Sequence, residues 1–321
     1  MTILDRVLAA GRPLHVRGKG RLFDRFTPHA GSREVTVAGS YTMTLDLANA
    51  IHRQIFMGCF AHSMTQWATH LLPVSGTFLD VGAHAGYFSL LASAHVGLSG
   101  RVFAIEPNPK TFATLERHLA LNRVANVRAL MCGLADKPGS LTLHAPPSQI
   151  DYNATVLPRA DWTRVDVPAR TLDDCVREWA IDRIDLMKID VEGAEPLVLA
   201  GGTRSLSSGV VRHAMIEVNG PRLTEGGAGP RELADMLDQF GFVPAAVRAG
   251  RILAGSWTDF DIDPTHETDC LFVHRRALAC SVPARVRIRV SAEVGTGIYA
   301  WAPLARRPQE RRADGCTRLS Q

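Results

Sequence analysis

The stretch Thr77–Ser89, TFLDVGAHAGYFS, decides the fold of this chain. Its first five residues, 77–81, are mostly apolar, which is typical of a strand buried on both faces. The small residues of 82–86 let backbone amides approach a ligand, and helical apolar spacing resumes at Tyr87. A strand, a small-residue turn and a helix predict a binding crevice at the carboxyl edge of a parallel sheet.

A second acidic residue follows the next predicted strand. The run 101–105 reads as that strand and leads into Glu106, 26 residues after Asp80. A spacing of roughly 20 residues is expected between the turn and the acidic residue of a nucleoside-binding unit. A carboxylate at this place accepts hydrogen bonds from vicinal ribose hydroxyls. The sequence therefore predicts a ligand that contains a ribose.

The glycine pattern selects among nucleoside ligands. The turn has Gly82 and Gly86, but it lacks the G-x-G-x-x-G pattern of dinucleotide folds and the Lys-Ser/Thr pair of a phosphate loop. Asp80 would repel a pyrophosphate and would pair with a cationic amino-acid group. S-adenosylmethionine has such a group and a ribose, so this methyl donor is favoured over a dinucleotide and over a purely structural turn.

Three separate motifs resemble those of one known family. They are DVGAHAGYFSLLA at 80–92, VFAIEPNPKTFATLERHLALN at 102–122 and IDLMKIDVEGAEPLVLAGG at 184–202. In order and spacing they resemble the FkbM family of S-adenosylmethionine-dependent methyltransferases, over residues 46–272. The resemblance implies a class I methyltransferase fold and methylation of a hydroxyl on a sugar, polyketide or other small natural product.

The alternation of strands and helices predicts an α/β, Rossmann-like three-layer sandwich. Its mostly parallel sheet is expected to have seven strands, with 243–254 and 270–274 as an antiparallel edge pair. The third strand is expected over 127–134. Two helices broken near Gly58 precede the sheet, and they either cover the donor site or pack against the sheet edge.

The chain is expected to have three parts. Residues 1–72 form an N-terminal hairpin and helical cap, 73–280 the methyltransferase domain, and 281–321 a basic C-terminal extension that is partly disordered. Within the extension, 285–290 alternates arginine with apolar residues, as in a guarded edge strand.

The predicted donor site collects residues from four strand ends. Asp80 and Glu106 would hold opposite ends of the donor, and the end of the third strand would lie beside the adenine. The full set is Asp80, Gly82, Ala83, His84, Gly86, Tyr87, Phe88, Glu106, Pro107, Asn108, Gly133, Leu134 and Asp190.

Methylation of a hydroxyl calls for a base, and two residues are candidates. Asp190 lies at the end of its strand; it would act as the base, bind the donor's amino group or cap the next helix. His84 is the other candidate because imidazole titrates near neutrality, although a turn position favours a backbone role. Lys188 in the same strand as Asp190 needs a carboxylate partner, which we expect to be Asp80 or Glu217.

A magnesium site is the less favoured interpretation of this edge. Asp190, Glu217 and Asn219 would offer hard oxygen ligands to Mg²⁺ beside the acceptor oxygen. The same residues serve equally as helix caps and as a partner for Lys188. S-adenosylmethionine is therefore the expected cofactor, without a metal.

Composition is that of an ordinary globular protein of 321 residues, 46% hydrophobic and 21% charged. The cysteines lie far apart without metal spacing, which favours buried thiols in a reducing compartment. Charged residues near the N-terminus argue against a signal peptide, and no stretch approaches the roughly 20 apolar residues of a membrane span. We expect a cytoplasmic protein with no membrane partner.

The C-terminal segment 281–321 holds eight arginines and three carboxylates, against a net charge of +4 for the whole chain. An alternative function is a methyltransferase-fold binding module that grips nucleic acid or an acidic carrier protein with this segment. The near-neutral body lacks the broad basic and aromatic surface of nucleic-acid enzymes. A small-molecule or carrier-bound hydroxyl substrate is therefore favoured over nucleic acid, and the oligomeric state stays open.

Overall fold

A hairpin and two helices open the part of the chain that the structure describes. A computed structural model describes residues 25, 27–147, 154–248, 251–278 and 288–289. Strands β1 (Ser32–Val37) and β2 (Tyr41–Asp46) pair antiparallel, and helices α1 (Ala50–Met57) and α2 (His62–Leu71) follow. Gly58 ends α1 with a φ of 65°, so the break predicted near this residue is confirmed.

From residue 77 the chain alternates strands with helices, as the sequence predicts. The elements are β3 (Thr77–Val81), α3 (Tyr87–Val96), β4 (Arg101–Ile105), α4 (Pro109–Leu121), β5 (Val127–Leu130), β6 (Gly133–Leu134), β7 (Gly139–Ala145), β8 (Thr163–Arg170), α5 (Leu172–Glu178), β9 (Leu186–Ile189), α6 (Glu195–Ala200), α7 (Thr203–Ser207), β10 (His213–Asn219), α8 (Gly220–Glu225), α9 (Pro230–Gln239), β11 (Phe242–Arg248), β12 (Arg251–Ala254), β13 (Phe260–Asp261), β14 (Glu267–His274) and β15 (Ile288–Arg289).

The main sheet has the strand order β12-β11-β14-β10-β9-β3-β4-β5. Its five strands from β10 to β5 run parallel, while β14 is antiparallel to both β10 and β11. The mostly parallel sheet is thus confirmed, but it has eight strands instead of seven because β11 and β12 form a hairpin. The strands expected over 243–254 and 270–274 pair antiparallel at one edge of the sheet, as predicted, and β14 is the inner member, with hydrogen bonds to both β10 and β11.

The strand predicted over 127–134 ends early. β5 stops at Leu130, and β6 pairs instead with β8 in a separate sheet of order β6-β8-β7. The chain leaves the main sheet at 131–132 because Gly133 packs directly under this small sheet: a Cβ on it would lie 2.7 Å from Leu141 Cδ1.

Helices cover both faces of the main sheet, which confirms the three-layer sandwich. Phe78, Val102 and Leu186 pack in one cluster with residues of α2 and α3. Their neighbours along the strands, such as Leu79 and Phe103, pack in a second cluster with residues of α5, α6, α7 and α9. Successive residues of a strand face opposite sides of the sheet, so strands that are apolar throughout fill both cores.

The remaining predictions concern the chain ends and the membrane. β15 pairs in parallel with β13, and the rest of 281–321 lies outside the described residues, as do 1–24 and 26. Among the described helices, none combines the length and the apolar character that crossing a bilayer requires.

Candidate functional site

A cavity of about 360 Å³ opens at the carboxyl edge of the parallel strands, a size typical of small-molecule sites, which hold roughly 300–1,000 Å³. Its walls come from the ends of β3, β4, β9 and β10, the start of β14, the junction of α1 and α2, and the segment 154–156. Of the predicted donor residues it brings together Gly82, Ala83, His84, Tyr87, Phe88, Glu106, Pro107, Gly133, Leu134 and Asp190.

The small-residue turn after β3 is tied to the neighbouring strands. The backbone amides of Gly82 and Ala83 both donate to the Ile105 carbonyl at 3.0 Å. Gly82 has a φ of +76°, and a Cβ on it would lie 1.9 Å from the Asp190 carbonyl oxygen. Glycine is therefore required here because the end of β9 passes so close, and these two amides hold β4 instead of pointing at a ligand.

Glu106 lines the cavity and also holds the turn. Its Oε2 accepts from the His84 amide and its Oε1 from the Asn108 amide, both at 2.9 Å. Burial raises the pKa of Glu106 to about 7. Each carboxylate oxygen has a second lone pair, so the ionised side chain retains the capacity to accept from two ligand hydroxyls, as the predicted ribose contact requires.

Lys188 lines the cavity from β9 with carboxylates on two sides. Its Nζ lies 3.1 Å from Asp190 Oδ2 and 3.7 Å from Asp80 Oδ1, and it donates to the Gly82 carbonyl at 2.7 Å. Burial alone would lower the pKa of Lys188, but the charges of Asp190 and Asp80 outweigh it and raise that pKa. The predicted partner Asp80 is confirmed, and Asp190 provides the closer contact.

Asp80 does not line the cavity, in contrast to its predicted role at the donor's amino group. The side chain is 0% exposed and accepts a hydrogen bond from Ser89 Oγ at 2.6 Å. Successive residues of β3 face opposite sides of the sheet, so Asp80 lies on the same face as Phe78, toward α3. On that face its charge compensates the charge of Lys188. The structure leaves Asp190 as the cavity carboxylate beside the turn.

Three other predicted residues lie outside the cavity lining. Gly86 is the N-cap residue of α3 with a φ of +91°, and a Cβ there would meet Leu115 Cδ1 at 2.6 Å. The side chains of Asn108 and Asn219 accept backbone hydrogen bonds that cap α4 and α8. Of the three predicted magnesium ligands, Asp190 and Glu217 line the cavity and Asn219 does not, and no cluster suited to a metal ion occurs among the described residues.

His84 lines the cavity, but its burial disfavours the imidazolium. Burial and the nearby His52 lower the pKa of His84 to about 3. The two rings contact edge to face with centroids 6.0 Å apart. An imidazole with such a pKa is a weak base at neutral pH, so the backbone role of His84, donating to Glu106, is the one that the geometry supports.

The sequence did not single out the wall built by the N-terminal helices. The junction of α1 and α2 supplies Ile51, Gln54, Ile55, Cys59, Phe60, Ala61, His62 and Ser63 to the lining. The sequence left two roles open for this segment, covering the site or packing against the sheet edge. Because these residues line the cavity, the segment covers the site. The helix break at Gly58 was the available signal, because it turns the chain toward the strand ends.

The start of β14 was also missed. β14 is antiparallel, so its first residues lie where β10 ends, with Glu217 opposite Asp269 in register. With Glu192 and Glu267 these side chains form an acidic region of the lining. Burial and mutual repulsion raise the pKa of Glu192 and of Asp269 to about 7, and that of Glu217 well above its ordinary value.

Known proteins resemble the segment that builds this site. "Methyltransferase sdnD" of Sordaria araneosa is 34% identical over 161 residues, which cover 40% of this chain and 61% of that protein. "2-O-methyltransferase NoeI" of Sinorhizobium fredii is 30% identical over 161 residues, 44% of this chain and 63% of that protein. "31-O-demethyl-FK506 methyltransferase FkbM" of Streptomyces tacrolimicus is 28% identical over 186 residues, 48% and 68%. The chain thus spans about three fifths of the length of the first two relatives.

The family described as "Methyltransferase FkbM domain" matches residues 80–244, just over half of the chain. The match begins at Asp80 and includes all three motifs that resemble this family, together with the turn, Glu106 and the end of β9. The chain therefore belongs to the FkbM methyltransferase domain family.

Proposed function

We propose that this protein transfers a methyl group from S-adenosylmethionine to a hydroxyl oxygen of a sugar, polyketide or other small natural product. The observation that carries the proposal is the cavity itself: Glu106 and Asp190 line it on either side of the turn 82–84. Family membership and relatives named as O-methyltransferases support the same reaction.

The residues present fit the donor. Glu106 offers carboxylate lone pairs for the ribose hydroxyls, and Pro107, Gly133 and Leu134 offer a small, apolar wall for the adenine. Asp190 is the cavity carboxylate available to the donor's ammonium group, in place of the buried Asp80. Lys188 fixes the orientation of Asp190 through the contact at 3.1 Å.

When bound, the donor supplies an activated methyl group on a sulfonium. The protein's tasks are then to align the acceptor oxygen, to exclude water and to remove the acceptor's proton. The aromatic side chains Phe60, Tyr87 and Phe88 pack against one another in the lining, with centroids of neighbouring rings 5.2–6.1 Å apart. They form an apolar wall that keeps water from the reacting atoms.

Donor binding to a Glu106→Ala variant tests the proposal. We expect calorimetry to show S-adenosylmethionine bound about 10- to 100-fold more weakly, the equivalent of a lost hydrogen bond to a charged group of about 1.5–3 kcal/mol. The matched control is Glu116→Ala on the exposed face of α4, which should bind like the unchanged protein. Undiminished affinity in Glu106→Ala would refute the assignment, and no binding by the unchanged protein would refute the function.

A further inference from the structure

We propose that Glu192 is the base that takes the acceptor's proton, an assignment that rests on the methyl transfer proposed above. The carboxylate of Glu192 lines the cavity, and its side chain is 18% exposed. It lies two residues beyond Asp190, outside the set of residues that fits the donor. The acceptor would then lie beside Glu192 and the segment 154–156, both of which line the cavity.

Asp190, the base expected from the sequence, is committed to Lys188. Its Oδ2 lies 3.1 Å from the Lys188 ammonium, whose side chain is only 3% exposed. If Asp190 took up a proton, a buried cation would lose its nearest counter-charge, which is strongly unfavourable. The neighbour of Glu192 is Arg222, with Nε at 3.6 Å and a side chain that is 20% exposed. This contact is longer than a hydrogen bond, so protonation of Glu192 disturbs less.

The backbone of Glu192 is held in a conformation that glutamate seldom adopts. Its φ is +54°, in the left-handed region, which is unfavourable for a residue with a Cβ. Glu195 Oε1 accepts from the amides of Val191 and Gly193, both at 3.3 Å. These bonds fix the chain on each side of Glu192, so the unusual conformation is maintained by the fold.

The carbonyl of Glu192 is tied to the segment that closes the cavity on the same side. Thr155 Oγ1 donates to this carbonyl at 2.9 Å, and Ala154, Thr155 and Val156 all line the cavity. Glu192 and the segment 154–156 thus form one continuous wall.

The reaction needs only the acceptor hydroxyl, the methyl donor, Glu192 and water. The acceptor oxygen forms its new bond to the methyl carbon while the carbon–sulfur bond breaks, and the electron pair of that bond stays on sulfur. The acceptor proton passes to a carboxylate oxygen of Glu192 and leaves to water after the product departs. The protein ends the cycle in the state in which it began it.

Burial and the charged groups around Glu192 bring its pKa close to neutral pH, where it would accept the acceptor's proton. The groups that face it are Asp190, Arg222, Glu267, Glu195 and Glu217. Burial, followed by repulsion from Asp190, raises the pKa of Glu192 to about 7, while Arg222 opposes the shift. A base whose pKa lies near the working pH combines a large ionised fraction with good proton affinity.

The test compares Glu192→Gln with Asp190→Asn and with the exposed control Glu116→Gln. Transfer from methyl-labelled S-adenosylmethionine is measured with a mixture of glucose, xylose, inositol and glycerol as acceptors, over a range of pH. Glu192→Gln should lower kcat by about 100-fold or more and remove the rise in rate that follows ionisation near pH 7. Its affinity for S-adenosylmethionine should stay within about threefold, because Glu192 does not belong to the donor set. Asp190→Asn should instead weaken donor binding.

Each other outcome counts against the proposal. A Glu192→Gln variant that keeps its rate or its rise near pH 7 would overturn the assignment while leaving the proposed function intact. Absence of transfer by the unchanged protein with bound donor would overturn both. If Glu192→Gln binds the donor poorly because the local fold is lost, Glu192→Asp decides: it keeps the charge but shortens the reach, so we expect a reduced rate with the pH dependence retained.

Discussion

Lys188 is a buried cation that lies between a core carboxylate, Asp80, and a cavity carboxylate, Asp190. With side chains only 3% and 0% exposed, Lys188 and Asp80 form an ion pair inside the protein, and Asp190 extends the pair to the cavity. Such a pair contributes little net stability, but the loss of one partner leaves an uncompensated buried charge. A change at Lys188 should therefore affect both the stability of the β3–β9 pair and the orientation of Asp190.

Replacement of Lys188 should be strongly destabilising. We expect Lys188→Met to lower the free energy of unfolding by about 3–5 kcal/mol, measured by urea denaturation. The double variant Asp80→Asn/Lys188→Met should lose less than the sum of the two single variants, since the neutral amide in place of the Asp80 carboxylate leaves no unpaired charge in the core. Strictly additive losses would show that the two side chains do not interact.

Among the elements, α4 and its C-cap residue Asn122 bind the free edge of β2 through side chains. Asn122 accepts from the Thr42 amide and donates to its carbonyl, each at 2.7 Å, and His118 Nε2 lies 3.1 Å from the Thr44 amide. The other nitrogen of His118 contacts the Ala85 carbonyl at 2.8 Å. One helix thus connects the N-terminal hairpin with the turn that builds the cavity.

Neutral His52, whose Nδ1 accepts from the Asp46 amide at the end of this hairpin, should make the protein sensitive to acid. Burial lowers the pKa of His52 to about 4, against 6.5 for an ordinary histidine. Between these two pKa values the unfolded chain binds a proton that the folded chain does not. The free energy of unfolding therefore falls as the pH drops from about 6.5 toward 4. For His52 the full loss is on the order of 3 kcal/mol. Cavity carboxylates with a raised pKa act in the opposite direction, so the effect is isolated by comparing variants.

The comparison uses His52→Asn and the exposed His70→Asn on α2. Urea denaturation at about pH 7.5 and about pH 5 should show a smaller loss of stability in His52→Asn than in the unchanged protein, because the group that gains a proton on unfolding is gone. His70→Asn should lose as much stability as the unchanged protein. An equal loss in all three proteins would contradict the assignment to His52.

At the scale of the whole molecule, the cavity exists only when distant segments meet. Its lining runs from Ile51 in α1 to Asp269 in β14 and includes the ends of four parallel strands. A ligand that fills the cavity would contact both the helices α1 and α2 and the strand ends. Binding should therefore stabilise the folded chain as one unit.

Thermal unfolding of the full chain tests whether the bound methyl donor stabilises the whole folded chain. At about 100 times its Kd, S-adenosylmethionine should add about 2.7 kcal/mol to the free energy of unfolding and raise Tm by about 4 °C for a chain of this length. NAD is the matched control, because the turn lacks the glycine pattern for a pyrophosphate. An equal rise in Tm with NAD would contradict the specificity for the methyl donor.

Local patterns were enough to predict the architecture. Buried strands such as 77–81 and helices such as Pro109–Leu121 follow from apolar spacing and caps, which are properties of a few neighbouring residues. Glu106 and Asp190 were assigned to the site because the ends of parallel strands share one edge of the sheet. The additional strand and the inner position of β14 were not predictable, because strand order depends on partners far away in the chain.

The alternation of strands and helices, the small-residue turn and the edge at which the acidic residues lie all follow from the order of residues along the chain. Only the tertiary structure decided that Asp80 turns inward to Lys188, that Asp269 reaches the cavity on an antiparallel strand, and that α1 and α2 provide a wall. The physical reason is that the order of residues fixes where a side chain lies along a strand. Which neighbour it meets depends on contacts between segments that are remote in the chain.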